Sequence, residues 1–359
     1  MAIILKNENN KPFIYSEKQF INLKANLDNI LSYLDNNTLS YAKKTIYSLE
    51  IKNNNLIEGL RDDLSHIEEV IKTKQFEPRI TNLYNGYKYI LKNDQINKES
   101  LKKLYDILSA NLLEAHDLNN MGPFYRNGDV YVFESDVITK PGDKRVDASK
   151  LDYLMNLLFE YINTDNDLDI TDTFIKSQII HFYLVNIHPY FDVNGRTSRT
   201  LAMWYLLNNE AYSYIIFNRG INFNKAKYYE VIKNSRKYSN LNSFVNYMLL
   251  NVKDELIKEV AIKDIKDNKK DIDLSLIDIQ TINYLLSMHN NLTIKDFHQF
   301  YSRFNDKIPF DKLKEELLEP LIDKELIIMG EYSKSNPNNQ KFMINEDLIP
   351  TYLQLKKKI

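Results

Sequence analysis

The sequence predicts a mainly α protein with one small β-hairpin and a C-terminal segment of mixed helix and strand. Three observations predict it. Glycine and proline are scarce, 8 and 9 among 359 residues, so few helical runs are interrupted. Apolar residues recur at about 3.6 spacing through most of the chain. One stretch, 121–147, switches to aromatic and β-branched residues bracketed by Asn-Gly and Pro-Gly-Asp.

Each element follows in order. Phe20, Leu23, Leu27, Ile30, Leu31 and Leu34 lie on one helical face, and the polar run near Asn36 interrupts a pattern that spans 17–60. Leu64, Ile67, Val70 and Ile71 form the next set. Two further helices, Ile80 to Leu91 and Leu101 to Leu113, flank the polar run KNDQINKES, where Asn97 or Ser100 caps the second. After the hairpin, ASKLDYLMNLLFEYI resumes helix, with Asp147 or Ser149 as cap. TDTFIKSQIIHFYLVNI is a long apolar helix that stops at Pro189, because a residue before proline resists the α region. TSRTLAMWYLLNN, KAKYYEVIKNSRK and LNSFVNYMLLNVKDELIKEVAIKDIK follow as helices. The charged run 263–274 reads as a helix end and a linker. Helix, short helix, helix and two short strands then follow, the order of a winged helix. The expected division is 1–80, an N-terminal helical region; 81–262, the domain with the site; the linker; and 275–359.

Composition narrows function only broadly. The formal net charge is -2, with 27% charged residues, which gives no global argument for nucleic acid or a membrane surface. Cysteine is absent, which excludes disulfides and thiolate metal sites. No run of 18 apolar residues occurs, and the first residues lack the features of a secretory leader. A cytoplasmic protein without membrane contact is therefore expected.

HPYFDVNGRTSR, 188–199, carries chemistry. A helix–loop–helix joint needs only a stop and a start, which Pro189 and a cap at Asp192 or Asn194 supply. This joint holds more. Asn194 and Gly195 open a helix, where backbone N–H groups and the positive dipole end attract anions. Arg196 and Arg199, three apart, share one face and offer planar forks of donors to phosphate. Asp192 can hold Mg²⁺ beside bound phosphates. His188 has the intrinsic pKa of a general base. Together these residue types point to phosphoryl or nucleotidyl transfer. No HExxH or clustered histidine spacing favours a metal hydrolase.

The stretch resembles the Fic domain signature, H-P-F-x-[D/E]-G-N-G-R-x-x-R. His188, Pro189, Asp192, Asn194, Gly195, Arg196 and Arg199 match it. Tyr190 replaces a packing Phe. Val193 replaces a glycine of the anion loop, and a β-branched residue resists φ > 0, so a reshaped phosphate grip is expected. Gly195 stands where the related Doc kinases carry lysine, which places the chain with the adenylylating branch. The resemblance implies a Fic helical bundle with a hairpin flap and AMP transfer from ATP to a Ser, Thr or Tyr hydroxyl. It implies His188 as base, Asp192 as Mg²⁺ ligand, Asn194, Gly195 and Arg196 as phosphate cradle, and Arg199 on the γ-phosphate. GPFYRNGDVYV resembles the Gly-x-Tyr-Arg segment that leads into the flap, whose edge would pair with an extended target peptide. Tyr228 and Tyr229 resemble the aromatic pair beside the adenine, with Tyr229 the cofactor-binding candidate.

NNLIEG, 54–59, resembles the family's inhibitory [S/T]-x-x-x-E-[G/N] helix, with Asn54 in place of Ser/Thr. The implied inhibitory residue is Glu58, paired with Arg199. The segment 275–359 resembles winged-helix domains appended to some Fic proteins. Its Asp311, Glu315 and Glu316 disfavour phosphate-backbone contact, so protein contact or a homodimer is expected ahead of DNA binding. Alternative functions are AMP removal or transfer of another nucleotide by the same fold, and a DNA-binding regulator that senses nucleotide. The target is a protein with an accessible hydroxyl, the chain itself included.

Overall fold

The computed structural model describes residues 4–34, 36–132, 142–164, 167–288, 292–330 and 341–358, and for 36–46 the backbone alone. Along the chain the first helices are α1 (Ile21–Leu31), α2 (Asn36–Ile57), α3 (Leu64–Thr73), α4 (Pro78–Ile90), α5 (Lys98–Ser109) and the short α6 (Ala115–Asn119). Strands β1 (Tyr131–Val132) and β2 (Asp143–Lys144) follow. Next come α7 (Leu151–Ile162), α8 (Ile170–Ile187), α9 (Asn194–Asn208), α10 (Phe217–Phe223), α11 (Lys225–Tyr238) and α12 (Asn242–Asn268). The remainder is α13 (Leu276–Met288), β3 (Leu292–Thr293), α14 (Ile294–Tyr301), α15 (Phe310–Leu313), α16 (Glu319–Asp323), β4 (Ile327–Met329), β5 (Lys341–Ile344) and α17 (Pro350–Lys358). A π-helical turn, Lys314–Leu318, joins α15 to α16. The chain is mainly helical with small antiparallel sheets, as its sequence predicts.

Local chemistry explains many boundaries. Asn97 caps α5 by accepting from Ser100 N–H, and Ser100 Oγ accepts from Asn97 N–H in return. Pro78 occupies the first turn of α4, where its missing N–H costs nothing. Asp169 caps α8 by accepting from Asp172 N–H. Asp147 stands at the cap position of the 3-10 turn Ala148–Lys150 that leads into α7, but its side chain makes no capping bond. The charged run expected to close a helix begins inside α12, which ends at Asn268.

Two compact units form, interleaved in sequence: Met1–Ala25 with Val70–Val252, and Asn26–Glu69 with Lys253–Ile359. The first 80 residues thus divide between them. In the first unit α8 and α9 are buried on almost every face, Phe174 through Leu184 with Asn186 and Ile187, and Thr197 through Leu207, and they pack against each other. Helices α4 and α5 pack together closely, and a Cβ on Gly86 would meet Leu108 Cδ2 at 2.7 Å. The hairpin pairs Tyr131 with Lys144 and Val132 with Asp143. Residues 133–141, between β1 and β2, lie outside the described residues.

The second unit holds α2, most of α3, the C-terminal half of α12 and everything beyond it. Its sheet has the antiparallel order β3-β5-β4, with Leu292 opposite Phe342 and Ile327 opposite Ile344. Residues 331–340, between β4 and β5, lie outside the described residues. Among the described residues no helix is long and apolar enough to cross a membrane.

Candidate active site

The loop between α8 and α9 holds the signature residues, and its shape follows from its two ends. Pro189 cannot continue α8, so His188 closes the helix in the left-handed conformation, φ 56, ψ 60, with its N–H on Leu184 O at 2.9 Å. The imidazole Nδ1 lies 3.1 Å from Val185 O. A carbonyl only accepts, so in the neutral ring Nδ1 carries the proton and Nε2 carries the basic lone pair. That is the tautomer a base requires.

Tyr190 is fully buried and stacks on Tyr105, with ring centroids 3.6 Å apart and planes 6° from parallel. Asn194 then closes the loop with two bonds, donating from Nδ2 to Tyr190 O (2.8 Å) and accepting at Oδ1 from Tyr190 N–H (3.0 Å). The sequence places Asn194 in the phosphate cradle. Its side chain is committed to the loop, so what it offers an anion is its backbone N–H. Asp192 is exposed, and its Oδ1 accepts from Val193 N–H at 2.6 Å.

Val193 answers the expectation that a β-branched residue would refuse a positive φ. It takes φ 62, ψ 11, so the backbone keeps the turn that a glycine would make. Its carbonyl accepts from Thr197 N–H (3.0 Å) and Thr197 Oγ1 (2.8 Å). The helical ladder therefore starts at Thr197, and the N–H groups of Asn194, Gly195 and Arg196 lie outside it. Arg196 is half-buried, whereas Arg199 is 1% exposed. The two do not share one surface environment, although they stand three apart.

Two residues absent from the sequence-derived site support it. Arg126 is buried and donates to three carbonyls: Nε to His188 O (2.9 Å), Nη1 to Gly128 O (2.5 Å) and Nη2 to Val146 O (2.5 Å). Its own N–H reaches Pro189 O at 3.0 Å. His181, fully buried on α8, contacts Tyr228 Oη through Nε2 (2.8 Å) and Gln178 Oε1 through Nδ1 (3.2 Å). The Gln oxygen only accepts, so Nδ1 carries the proton and Tyr228 donates to Nε2. Burial, then the nearby Arg199 cation, push the His181 pKa well below its ordinary value. A neutral His181 leaves Arg199 without a competing cation. Tyr228 is buried by this bond, while Tyr229 is 46% exposed, so Tyr229 is the ring a base could stack on.

The first unit thus gathers His188, Asp192, Asn194, Gly195, Arg196 and Arg199 around one loop, with Tyr229 on α11. Glu58 belongs to the second unit, where it is the exposed residue just after α2. Gly59 follows at φ 86, its N–H on Leu56 O and the Leu60 N–H on Asn55 O, both at 3.0 Å. This is a Schellman close. Among the described residues no cluster of three or more metal-ligating side chains occurs. Asp192 alone suits Mg²⁺, which commonly takes one or two carboxylates and completes its shell with phosphate oxygens and water.

Residues 95–206 match the Fic/DOC family. The protein adenylyltransferase Fic of Drosophila virilis is 28% identical over 228 residues, 60% of this chain and 44% of the relative. That of Aedes aegypti is 28% identical over 230 residues, 60% of this chain and 43% of the relative. The chain thus spans under half of the length of these curated relatives. In fold it is similar to the crystal structure of a Fic family protein from Desulfovibrio desulfuricans G20, with a TM-score of 0.59 and 18% identity over 93% of this chain and 98% of that one. The signature loop lies within the segment that matches the Fic/DOC family, the fold is the mainly helical one of a Fic family protein, and the chain is distantly similar to protein adenylyltransferase Fic.

Proposed function

We propose that the chain is a protein adenylyltransferase that moves AMP from Mg²⁺-ATP to a Ser, Thr or Tyr hydroxyl of a target protein. The observation that carries this reading is His188, whose Nδ1 proton is committed to Val185 O so that Nε2 is the basic nitrogen. It lies in the loop that leads into the amide-lined start of α9. The named activity of the curated relatives supports the same reading.

In this reaction the target oxygen attacks the α-phosphorus of ATP. The bond from that phosphorus to the β-phosphate bridging oxygen breaks, the hydroxyl proton passes to His188 Nε2, and pyrophosphate leaves. The N–H groups at the start of α9 and Arg196 hold the phosphates, and Arg199 takes the γ-phosphate. Asp192 is the ligand for Mg²⁺, which supplies charge neutralisation at the phosphates when bound. Tyr229 stacks on the adenine. An extended target segment adds to the edge of the β1–β2 hairpin.

Glu58 is the inhibitory residue in this proposal. Its carboxylate stands just past the C-terminal end of α2, where the helix dipole does not favour an acid. The segment 275–359 is proposed to be a winged-helix module for protein contact. Its sheet order supports the fold, and acids at Asp311, Glu315 and Glu316 oppose DNA.

Transfer of label from α-labelled ATP tests the proposal. Wild type is expected to label a target, or itself, weakly, and Glu58→Gly strongly. Glu58→Gly with His188→Ala should lose about 10²–10⁴-fold, the worth of a general base. Absence of label from all three proteins would sink adenylyl transfer.

A further inference from the structure

Arg126 is a cation placed where a cation is costly. Its side chain is 2% exposed, and its three side-chain donors all end on main-chain carbonyls rather than on a carboxylate. The acids that act on it electrostatically, Asp129 and Asp147, are both engaged by Lys144, at 2.8 and 2.7 Å. A buried guanidinium of this kind is retained for what its geometry holds. Here it holds three things at once. Gly128 O lies just before β1, and Val146 O lies just after β2, so the two feet of the hairpin are fixed to one planar group. His188 O lies at the left-handed close of α8, so the peptide that carries the imidazole is fixed to the same group. The Arg126 backbone N–H adds a fourth tie, to Pro189 O.

We propose that Arg126 is a positioning residue that sets the hairpin edge and the His188 imidazole in one fixed relation. The inference rests on the adenylyltransferase reading and deepens it: a target segment docked on the hairpin would arrive in register with the base. Arg126 touches neither nucleotide nor target. Its loss would misplace the hydroxyl relative to Nε2 and leave the phosphate cradle intact. Lysine keeps the charge but is a single point donor on a flexible stem, and it cannot span three carbonyls set by a planar fork.

The test compares Arg126→Lys and Arg126→Gln, each in the Glu58→Gly background, by three readouts. These are kcat for AMP transfer, KM for ATP, and the ¹⁵N shifts of the His188 ring in histidine-labelled protein. The His188 signal is assigned by its loss in His188→Ala. Arg126→Gln removes the buried charge and serves if the lysine variant fails to fold. The expected result is an ATP KM within about twofold of the parent and a kcat lower by about 10–100-fold, as a misplacement on the order of 1 Å produces. The ring signal should change from one tautomer to a mixture, as the Nδ1 bond to Val185 O loosens. A kcat within about twofold of the parent, with the single tautomer kept, would overturn the proposal. So would an equal fall in kcat, ATP affinity and melting temperature with the single tautomer kept, which a merely structural strut would give. If the parent transfers no AMP at all, adenylyl transfer fails, and the His188 tautomer still decides the role of Arg126 by itself.

Discussion

At the scale of single residues, Val193 carries a backbone strain that its neighbours overrule. An L-residue in the left-handed region costs about 1–2 kcal/mol, and β-branching raises the cost. The loop imposes it through the Asn194–Tyr190 clamp, and burial of the isopropyl group, 6% exposed, offsets it. Val193→Gly would relieve the strain but lose about 1.5–3 kcal/mol of burial and about 0.5–1 kcal/mol of backbone entropy. The expected net loss is about 1–2 kcal/mol, less than the same truncation costs at an unstrained buried valine. Fluorescence of Trp204, the single tryptophan, buried in α9, reads it during denaturant unfolding. Because the backbone already holds the glycine-like turn, ATP KM should change by less than about threefold, or about 0.6 kcal/mol. The shared loop of His188, Asp192, Asn194, Gly195, Arg196 and Arg199 was legible because they fall in twelve consecutive positions of one joint. Arg126 was read only as part of the Gly-x-Tyr-Arg segment and His181 not at all, since their partners lie 62 and 47 positions away, and no local periodicity marks such a pair.

At the scale of elements, the end of α2 is the most informative. Gly59, at φ 86, closes the helix, and Glu58 precedes it. Gly59→Ala should cost about 1 kcal/mol by placing a Cβ in the left-handed region, and it should fray the last turn of α2. In the autoinhibition reading it should then raise AMP transfer in part, whereas Glu58→Gln raises it without fraying the helix. Hydrogen exchange of the Asn53–Leu60 amides separates the two effects. Helix starts were well marked in the sequence, as the Asn97–Ser100 box shows, because a cap and the N–H that donates to it lie within one turn. Ends were less so. The helix expected to reach Leu113 stops at Ser109, since Ala110 turns to φ -55, ψ 124 and Asn111 takes φ 58. The Asn82 amide donates to Leu108 O and Ala110 O, and that long-range contact supplies a donor to carbonyls at the helix end.

At the scale of the whole molecule, the second unit is held partly by a buried amine. Lys52 of α2 donates to Asp62 O and to Asn305 Oδ1, both at 2.7 Å. Burial lowers its pKa to about 8, against the opposing pull of Asp63, Asp62 and Asp306. The unfolded chain keeps the proton up to about pH 10.4, so between pH 8 and 10 it binds more protons than the folded chain. Stability of this unit should therefore rise with pH across that window, by roughly 1–3 kcal/mol. The slope should vanish in Lys52→Met. Trp204 lies in the first unit and does not report it, so hydrogen exchange of α2 and α13 amides at pH 7.5 and 9.5 is the measurement. A rise of equal size in Lys52→Met would refute the assignment.

The sequence by itself determined the helical content, the hairpin, and the order of residues along the 188–199 joint, because caps, breaks and apolar spacing act within a turn or two. The tertiary structure alone decided that α2, with Glu58 at its end, belongs to the unit built from 253–359. It also decided that Arg126, His181 and Lys52 are buried, and that Asn194 spends its side chain on the loop. The physical reason is common to all of these. A buried polar group is tolerated only where distant carbonyls and side chains converge to satisfy it, and that convergence is a property of the packed chain.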